Sequence, residues 1–207
     1  MWFIMNEDIR KAYKEAYEKA DEILSIIRYN KTKDELIPTN EIISAVEKKL
    51  DVEVKFATYD FNKFVNNETK EKCSFVDYGA AMGVVRKNGK ARAIILLNEK
   101  ENARKQRFSL VHELGHLMIQ GKEGKEEFRV STHIDMNLTS IPEKELEKEG
   151  NEFLLEEQQA NIFALLVLMP REMFDRIKKE KDSIFEMAEI FGVEKDAIFS
   201  RFMLDLT

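Results

Sequence analysis

The pentapeptide at residues 112–116, His-Glu-Leu-Gly-His, contains two of the three histidines of the chain. Residues four positions apart lie on the same face of a helix, so the imidazoles of His112 and His116 would point in one direction. Two imidazole nitrogens at this spacing can bind one Zn²⁺. Glu113 is adjacent to the first histidine and can hold a water molecule that the metal acidifies. The pentapeptide therefore predicts a zinc site with hydrolytic chemistry.

The residues around the pentapeptide indicate that its helix is buried. Apolar side chains flank it on both sides, namely Phe108, Leu110, Val111, Leu117, Met118 and Ile119. The alternative is a surface helix that carries two solvated histidines, and such a helix would not need apolar flanks. Buried histidines need a polar partner, and a metal ion is one.

A catalytic zinc site usually has three protein ligands and one open position, so a third ligand must come from elsewhere in the chain. The candidates are Glu157, its neighbour Glu156, His133 and the acidic cluster of residues 143–152. Glu157 has the best helical context, because Asn161 follows it by one helical turn. Asn161 could accept a hydrogen bond from the ring N–H of a ligating histidine and so fix its tautomer. We expect Glu157 to be the third ligand and His133 to be the leading alternative.

Hydrophobic periodicity predicts the elements that position these residues. Residues 7–29 show helical spacing, and Pro38 and Thr39 open a second, short helix. Val52, Val54 and Phe56 alternate with polar residues, as in a strand. A hairpin of residues 80–86 and 91–97 follows, with Asn-Gly at its turn.

The remaining elements are helical. The metal helix is expected to begin near Asn102, a good N-cap, and to end at Gly121. A second helix covers residues 153–168 and is ended by Pro170. Two or three more helices follow, with capping-box spacing at Ser183 and Glu186 and a helix stop at Gly192. The predicted fold class is α+β: mostly helical, with a small antiparallel three-stranded sheet.

The domain organisation follows from the same pattern. We expect residues 1–175 to form the metal-binding domain with an N-terminal helical extension. Residues 176–207 are expected to be a C-terminal helical tail packed on it.

Composition excludes several classes of protein. The net charge of −6 argues against bulk binding of nucleic acid or of an anionic membrane surface. No stretch approaches the length of a membrane span, and the apolar residues 1–5 are too short for a signal peptide. The single cysteine, Cys73, cannot form an internal disulfide and is typical of a reducing compartment. We expect a globular protein of the cytoplasm.

Two sequence blocks resemble the signatures of the ImmA/IrrE family of metallopeptidases. They are residues 107–116, RFSLVHELGH, and residues 157–164, EQQANIFA, which Leu-Met-Pro follows at 168–170. The resemblance covers about residues 40–175. It implies a zincin-like metal helix followed by a ligand-bearing helix.

By this resemblance His112, His116 and Glu157 are the zinc ligands and Glu113 is the catalytic base. The spacing from Glu157 to Asn161 is similar to the Glu-x-x-x-Asp of thermolysin-like enzymes, whose Asp orients a zinc-bound histidine. Here Asn replaces Asp, so the hydrogen-bond acceptor lacks a charge.

The resemblance also implies a substrate: a transcriptional repressor with a helix-turn-helix, of the kind found in phages and mobile elements. The acidic segment 122–150 could meet such a basic partner, although a solvated charge run is the simpler interpretation. A competing hypothesis is a non-catalytic zinc protein that sequesters a repressor.

A third hypothesis is a DNA-binding regulator, because residues 188–193 resemble the turn of a helix-turn-helix. The following helix offers Lys195 and Arg201 against Glu194 and Asp196, which is poor equipment for contacting phosphates. We therefore favour a packed helical pair, and direct nucleic-acid binding is not expected.

Overall fold

The computed structural model describes residues 7–29, 35–60, 78–87, 90–120, 128–132 and 151–205. Seven helices and four strands lie in these ranges. In chain order they are α1 (Glu7–Ile27), α2 (Thr39–Leu50), β1 (Val52–Tyr59), β2 (Tyr78–Lys87), β3 (Lys90–Asn98), α3 (Ala103–Gln120), β4 (Phe128–Thr132), α4 (Asn151–Leu168), α5 (Arg171–Glu180), α6 (Ile184–Phe191) and α7 (Lys195–Leu204). The predicted α+β class is confirmed.

The sheet has the strand order β1-β3-β2-β4 among the described residues. Strands β2 and β3 form the predicted hairpin and pair as far as Lys87 and Lys90. The expectation of three antiparallel strands was wrong in two respects: β1 pairs with β3 in parallel, and β4 adds a fourth strand beside β2. Alternating polarity reveals that a segment is a strand, but the neighbours of that strand depend on contacts distant in sequence.

One face of the sheet packs against the helices. Its buried residues include Ala80 and Met82 of β2 and Ala93, Ile95 and Leu97 of β3, and these join the main hydrophobic core. At the edge of the sheet, Val52 and Val54 of β1 are buried, whereas Phe56 is 53% exposed. The predicted alternation therefore identified the strand but not the length of strand that the core covers.

Helices α3 and α4 lie side by side at the centre of the molecule, and α1 packs mainly against α4. A buried glutamine of α4 connects this helix to α1. Gln159 Nε2 donates to the Ala12 carbonyl at 3.4 Å and to the Glu15 carboxylate at 3.1 Å. Helices this deeply packed are apolar around most of their circumference. The polar groups that remain inside them therefore need a specific reason to be there.

The helix ends follow the sequence closely. Asn102 caps α3, since its Oδ1 accepts hydrogen bonds from the amides of Arg104 and Lys105 at 3.0 and 3.1 Å. Gly192 ends α6 in the left-handed conformation with a φ of 62°. The capping box at Ser183 was wrong: within the described residues that side chain makes no capping hydrogen bond.

A buried arginine attaches the C-terminal helices to the core. Arg201 of α7 is 0% exposed. Its Nε donates to the Met169 carbonyl at 3.3 Å, its guanidinium lies 4.8 Å from the centre of the Phe174 ring, and it pairs with Asp205. One of the two cations considered for phosphate contacts is therefore used inside the protein.

Among the helices in the described part of the chain, none has the length and apolar character needed to cross a bilayer.

Candidate metal centre

Three side chains from two helices converge at the centre of the fold. His112 and His116 project from α3, and Glu157 projects from α4. Glu157 Oε2 lies 3.2 Å from His112 Nε2, and Glu157 Oε1 lies 3.1 Å from His116 Nε2. The two Nε2 atoms are 3.1 Å apart, and all three side chains are at most 4% exposed. We call this group the His-His-Glu cluster.

The close approach of α3 and α4 depends on a glycine. A Cβ atom at Gly115 would lie 3.1 Å from both the Cα and the carbonyl oxygen of Ala160, and 3.0 Å from Phe163 Cδ1. Two of these contacts are with backbone, which cannot move aside without moving the helix. Gly115 therefore lets α4 come near enough for Glu157 to reach both histidines.

Asn161 contacts His112 from the side away from the cluster. Its Oδ1 lies 2.8 Å from His112 Nδ1. An amide oxygen can only accept here, so the Nδ1 atom carries the proton and donates it. When His112 is neutral, Nε2 therefore presents its lone pair to the cluster, and when His112 is protonated, Nε2 can donate to Glu157.

The arrangement of lone pairs fits a cation. Two imidazole Nε2 atoms and one carboxylate face each other within 4.8 Å, in a setting from which water is largely excluded. Electron-rich atoms at such distances repel each other unless a proton or a metal ion lies between them. Two nitrogens and a carboxylate oxygen form a donor set that zinc accepts well.

The pKa shifts of His112 and Glu157 also indicate that the cluster favours positive charge. Burial alone would lower the pKa of His112, but its hydrogen bond to Glu157 and the charges of Glu157 and Glu113 outweigh burial and raise it. Burial alone would raise the pKa of Glu157, yet hydrogen bonds from His112 and His116 lower it to about 2. The cluster thus favours an ionised carboxylate beside positive charge.

A family model described as the IrrE N-terminal-like domain, Peptidase_M78, matches residues 66–203, about two thirds of the chain. The chain belongs to this family. A search of curated proteins gives no match. The Peptidase_M78 match confirms the resemblance and supports a metallopeptidase, a hydrolase that acts on proteins. The matched range continues past residue 176, where we predicted that a tail begins.

Glu113 is the most buried carboxylate of the centre, at 0% exposure. It lies next to His112 in α3 and close enough for its charge to raise the pKa of that histidine. A carboxylate can accept a proton from a water molecule and donate it again. The role of Glu113 as catalytic base stays a prediction.

The other candidate ligands fall in different places. Glu156 is only half buried and is not part of the cluster. His133 and the acidic cluster 143–152 lie outside the described residues, apart from the helical positions 151 and 152 at the start of α4. Within the described part of the chain, His116 Nδ1 is buried and has no hydrogen-bond partner. Among the residues described, His112 therefore has a hydrogen-bond partner that fixes its ring, whereas the Nδ1 atom of His116 has none.

Sequence reasoning missed one polar residue that supports the metal helix. Arg107 is partly buried and donates from Nη1 to Thr39 Oγ1 at 2.7 Å and from Nη2 to the Ile37 carbonyl at 2.9 Å. Burial lowers the pKa of its guanidinium to about 10. These bonds attach α3 to the start of α2. The only sequence signal was the position of Arg107 in the block 107–116.

Proposed function

We propose that this Peptidase_M78 protein is a zinc-dependent endopeptidase, with His112, His116 and Glu157 as zinc ligands and Glu113 as the general base. The observation that supports this most strongly is the convergence of the His-His-Glu cluster in the core, with a fully buried carboxylate beside it. A structural zinc site usually has four protein ligands, whereas a catalytic site has three. Within the described ranges the site has three ligands, and this number favours catalysis.

The residues divide the chemistry between them. Bound Zn²⁺ would lower the pKa of a water molecule to about 7 and stabilise negative charge on the peptide carbonyl oxygen. Glu113 accepts the proton of the attacking water and then donates it to the leaving amine. Asn161 holds His112 in the tautomer that directs Nε2 to the cluster. Burial of His112, Glu113, His116 and Glu157 restricts their orientations before substrate binds.

For the substrate we propose a specific regulatory protein of the cytoplasm: a helix-turn-helix repressor of the phage or mobile-element type. Family membership supports a protein substrate. A net charge of −6 would favour a basic DNA-binding protein as partner. The acidic segment 122–150, which could meet this partner or could be a solvated charge run, lies almost wholly outside the described residues. Our division into a domain of residues 1–175 and a tail of residues 176–207 stays a prediction.

The alternative is a non-catalytic zinc protein that sequesters the repressor. Glu113 distinguishes the two, because binding alone does not require a buried carboxylate beside the metal. Catalysis gives Glu113 a use that sequestration does not.

The decisive experiment combines metal analysis with co-expression. Purified protein should contain about one zinc per chain, as a three-ligand site requires. Alanine at His112, His116 or Glu157 should abolish tight binding, while Glu156→Ala, the matched control, should not. Normal zinc binding by Glu157→Ala and its loss in His133→Ala would reassign the third ligand.

The same protein is then co-expressed with a repressor encoded beside its gene. We expect one or a few repressor fragments by mass spectrometry, inhibited by chelators, and slow or no cleavage of casein. An intact repressor that no longer binds DNA would favour sequestration. Rapid degradation of casein would contradict narrow specificity.

A further inference from the structure

The C-terminal helices expose large apolar side chains on one surface. Phe185 of α6 is 66% exposed, and Phe199 and Met203 of α7 are 53% and 37% exposed. Lys195 Nζ lies 4.4 Å from the centre of the Phe185 ring, which brings Phe185 beside the first turn of α7. Lys195, Phe199 and Met203 follow at intervals of four residues and so lie along one side of the helix. We call these four residues the C-terminal patch.

The core does not need the C-terminal patch. The opposite sides of α6 and α7 already bury Met187, Ala188, Phe191, Ala197 and Ile198. Single exposed apolar residues are common, but two exposed phenylalanines and a methionine on one helix pair are typical of a surface that another molecule covers.

The helix pair that carries this patch has more carboxylates than cations. Residues 181–205 contain six carboxylates and three cations. Of the cations, Arg201 is buried against Asp205 and Lys181 pairs with Glu186 at 3.4 Å. Lys195 remains, and it lies over the Phe185 ring. Among the carboxylates, Glu189 pairs with Arg104 and Asp205 also pairs with Lys178, whereas Glu194 and Asp196 flank Lys195 at the start of α7. An apolar surface with these two carboxylates beside it complements a basic amphipathic helix and opposes DNA.

An ion pair connects this surface to the metal helix. Glu189 of α6 pairs with Arg104 in the first turn of α3. Arg104 precedes His112 by eight residues, which is about 12 Å along a helix. A partner bound at the C-terminal patch would therefore lie on the helix pair that contacts the first turn of the helix bearing His112 and His116.

We propose that the C-terminal patch is a docking surface, separate from the cleavage site, for a basic amphipathic helix of the protein substrate. The inference rests on the proposed function, since it assigns the surface to the same substrate. Phe185, Phe199 and Met203 would contact the apolar side of the partner helix. Glu194 and Asp196 would attract its lysines and arginines. Selection by this second surface would restrict cleavage to few proteins.

The test uses the full zinc-loaded chain carrying Glu113→Gln, so that binding is measured without cleavage. The probe is a synthetic helical peptide of 20 residues with one leucine face and one lysine face. The control probe is the same peptide with glutamate in place of lysine. Fluorescence anisotropy should show binding of the lysine peptide and at least ten-fold weaker binding of the glutamate peptide.

Two sets of variants test the surface. Phe185→Ser with Phe199→Ser should weaken binding of the lysine peptide at least ten-fold. Phe56→Ser is the matched control, because Phe56 has the same 53% exposure as Phe199 but lies on β1, and it should change nothing. Glu194→Lys with Asp196→Lys should weaken binding of the lysine peptide and strengthen binding of the glutamate peptide. Circular dichroism checks that each variant is folded.

Several outcomes would overturn the docking surface. The first is equal affinity for the lysine and glutamate peptides, and the second is an equal loss of peptide affinity in Phe56→Ser. The third is a shift of DNA in a gel that requires Phe199, and the fourth is dimerisation of the chain through the C-terminal patch. With a cleaved repressor, the Phe185/Phe199 variant should raise KM and leave kcat unchanged. Peptide binding at the patch without any cleavage by the wild type would contradict the proposed function alone. Cleavage that is indifferent to the patch would contradict the docking surface alone.

Discussion

The orientation of His112 is set by one neutral hydrogen bond. Asn161 Oδ1 accepts from Nδ1 at 2.8 Å and leaves Nε2 facing Glu157 and His116. An aspartate at this position would do the same and would add a negative charge that makes the imidazole a stronger donor to the metal. The asparagine therefore provides geometry without the additional charge.

Asn161→Ala should lower zinc affinity by about 10- to 100-fold, because His112 loses the acceptor that fixes its tautomer. Asn161→Asp should keep or increase the affinity. Competition with a chromophoric chelator measures both. Unchanged affinity in Asn161→Ala would mean that this hydrogen bond does not orient the histidine. Gln158→Ala, also on α4, serves as the control.

Glu113→Gln should retain zinc and the wild-type melting temperature but lose cleavage by a factor of about 100 or more, since an amide cannot accept the proton of water. The amide has nearly the same shape as the carboxylate, so packing in α3 is preserved. Zinc content, thermal melting and repressor cleavage are measured on one preparation. Full cleavage by this variant would remove Glu113 from the mechanism, and loss of zinc would mean that it supports the metal instead.

At the scale of elements, the centre depends on how closely two helices can pack. His112 and His116 belong to α3, and Glu157 belongs to α4, so the distance between the axes determines whether the three donors meet. Gly115 faces Ala160 and Phe163 across this interface. Within α3, Arg107 and the Asn102 cap hold the helix at its N-terminal end.

Gly115→Ala should destabilise the protein by about 1–3 kcal/mol and weaken zinc binding, because the new methyl group meets the backbone of Ala160. In an unobstructed helix the same change would instead stabilise by about 0.5–1 kcal/mol. The sign of the effect is therefore diagnostic. Chemical denaturation gives the free energy of unfolding. A stabilised variant with normal zinc affinity would show that α3 and α4 are not in tight contact here.

At the scale of the whole molecule, a bound metal would connect helices that are distant in sequence. The His-His-Glu cluster lies in the interface between α3 and α4, and α1, α2 and the sheet pack around these two helices. Without a cation, buried nitrogens and a carboxylate face each other, which favours separation of the helices. Metal binding should therefore increase the stability of the entire fold.

Removal of the metal should lower the melting temperature. With free zinc at a hundred times its Kd, binding contributes about 2.7 kcal/mol. For a chain of this size that corresponds to a shift of about 5–10 °C. Calorimetry with and without a chelator measures the shift, and restored zinc should reverse it. In Glu157→Ala the chelator should have no effect. An equal melting temperature in apo and zinc-loaded wild type would contradict a metal site in the core.

The sequence by itself determined the features that depend on neighbours along the chain. The pairing of His112 with His116 follows from the helical repeat. The Asn102 cap and the Gly192 stop follow from backbone hydrogen bonding and from the left-handed conformation that glycine allows. The hairpin of β2 and β3 was predicted from the Asn-Gly pair in the sequence between the two strands. In each case the interacting atoms are only a few residues apart.

Tertiary structure decided the features that bring distant residues together. Glu157 and Glu156 were adjacent candidates, and only the packing of α4 on α3 turns Glu157 toward the histidines. The parallel pairing of β1, the burial of Arg201 and the exposure of Phe56 likewise depend on which surfaces meet. Local periodicity shows which side of each helix or strand is apolar. The free energy of packing, however, depends on which two elements are in contact. The partner of a face is therefore fixed only when the whole core is assembled.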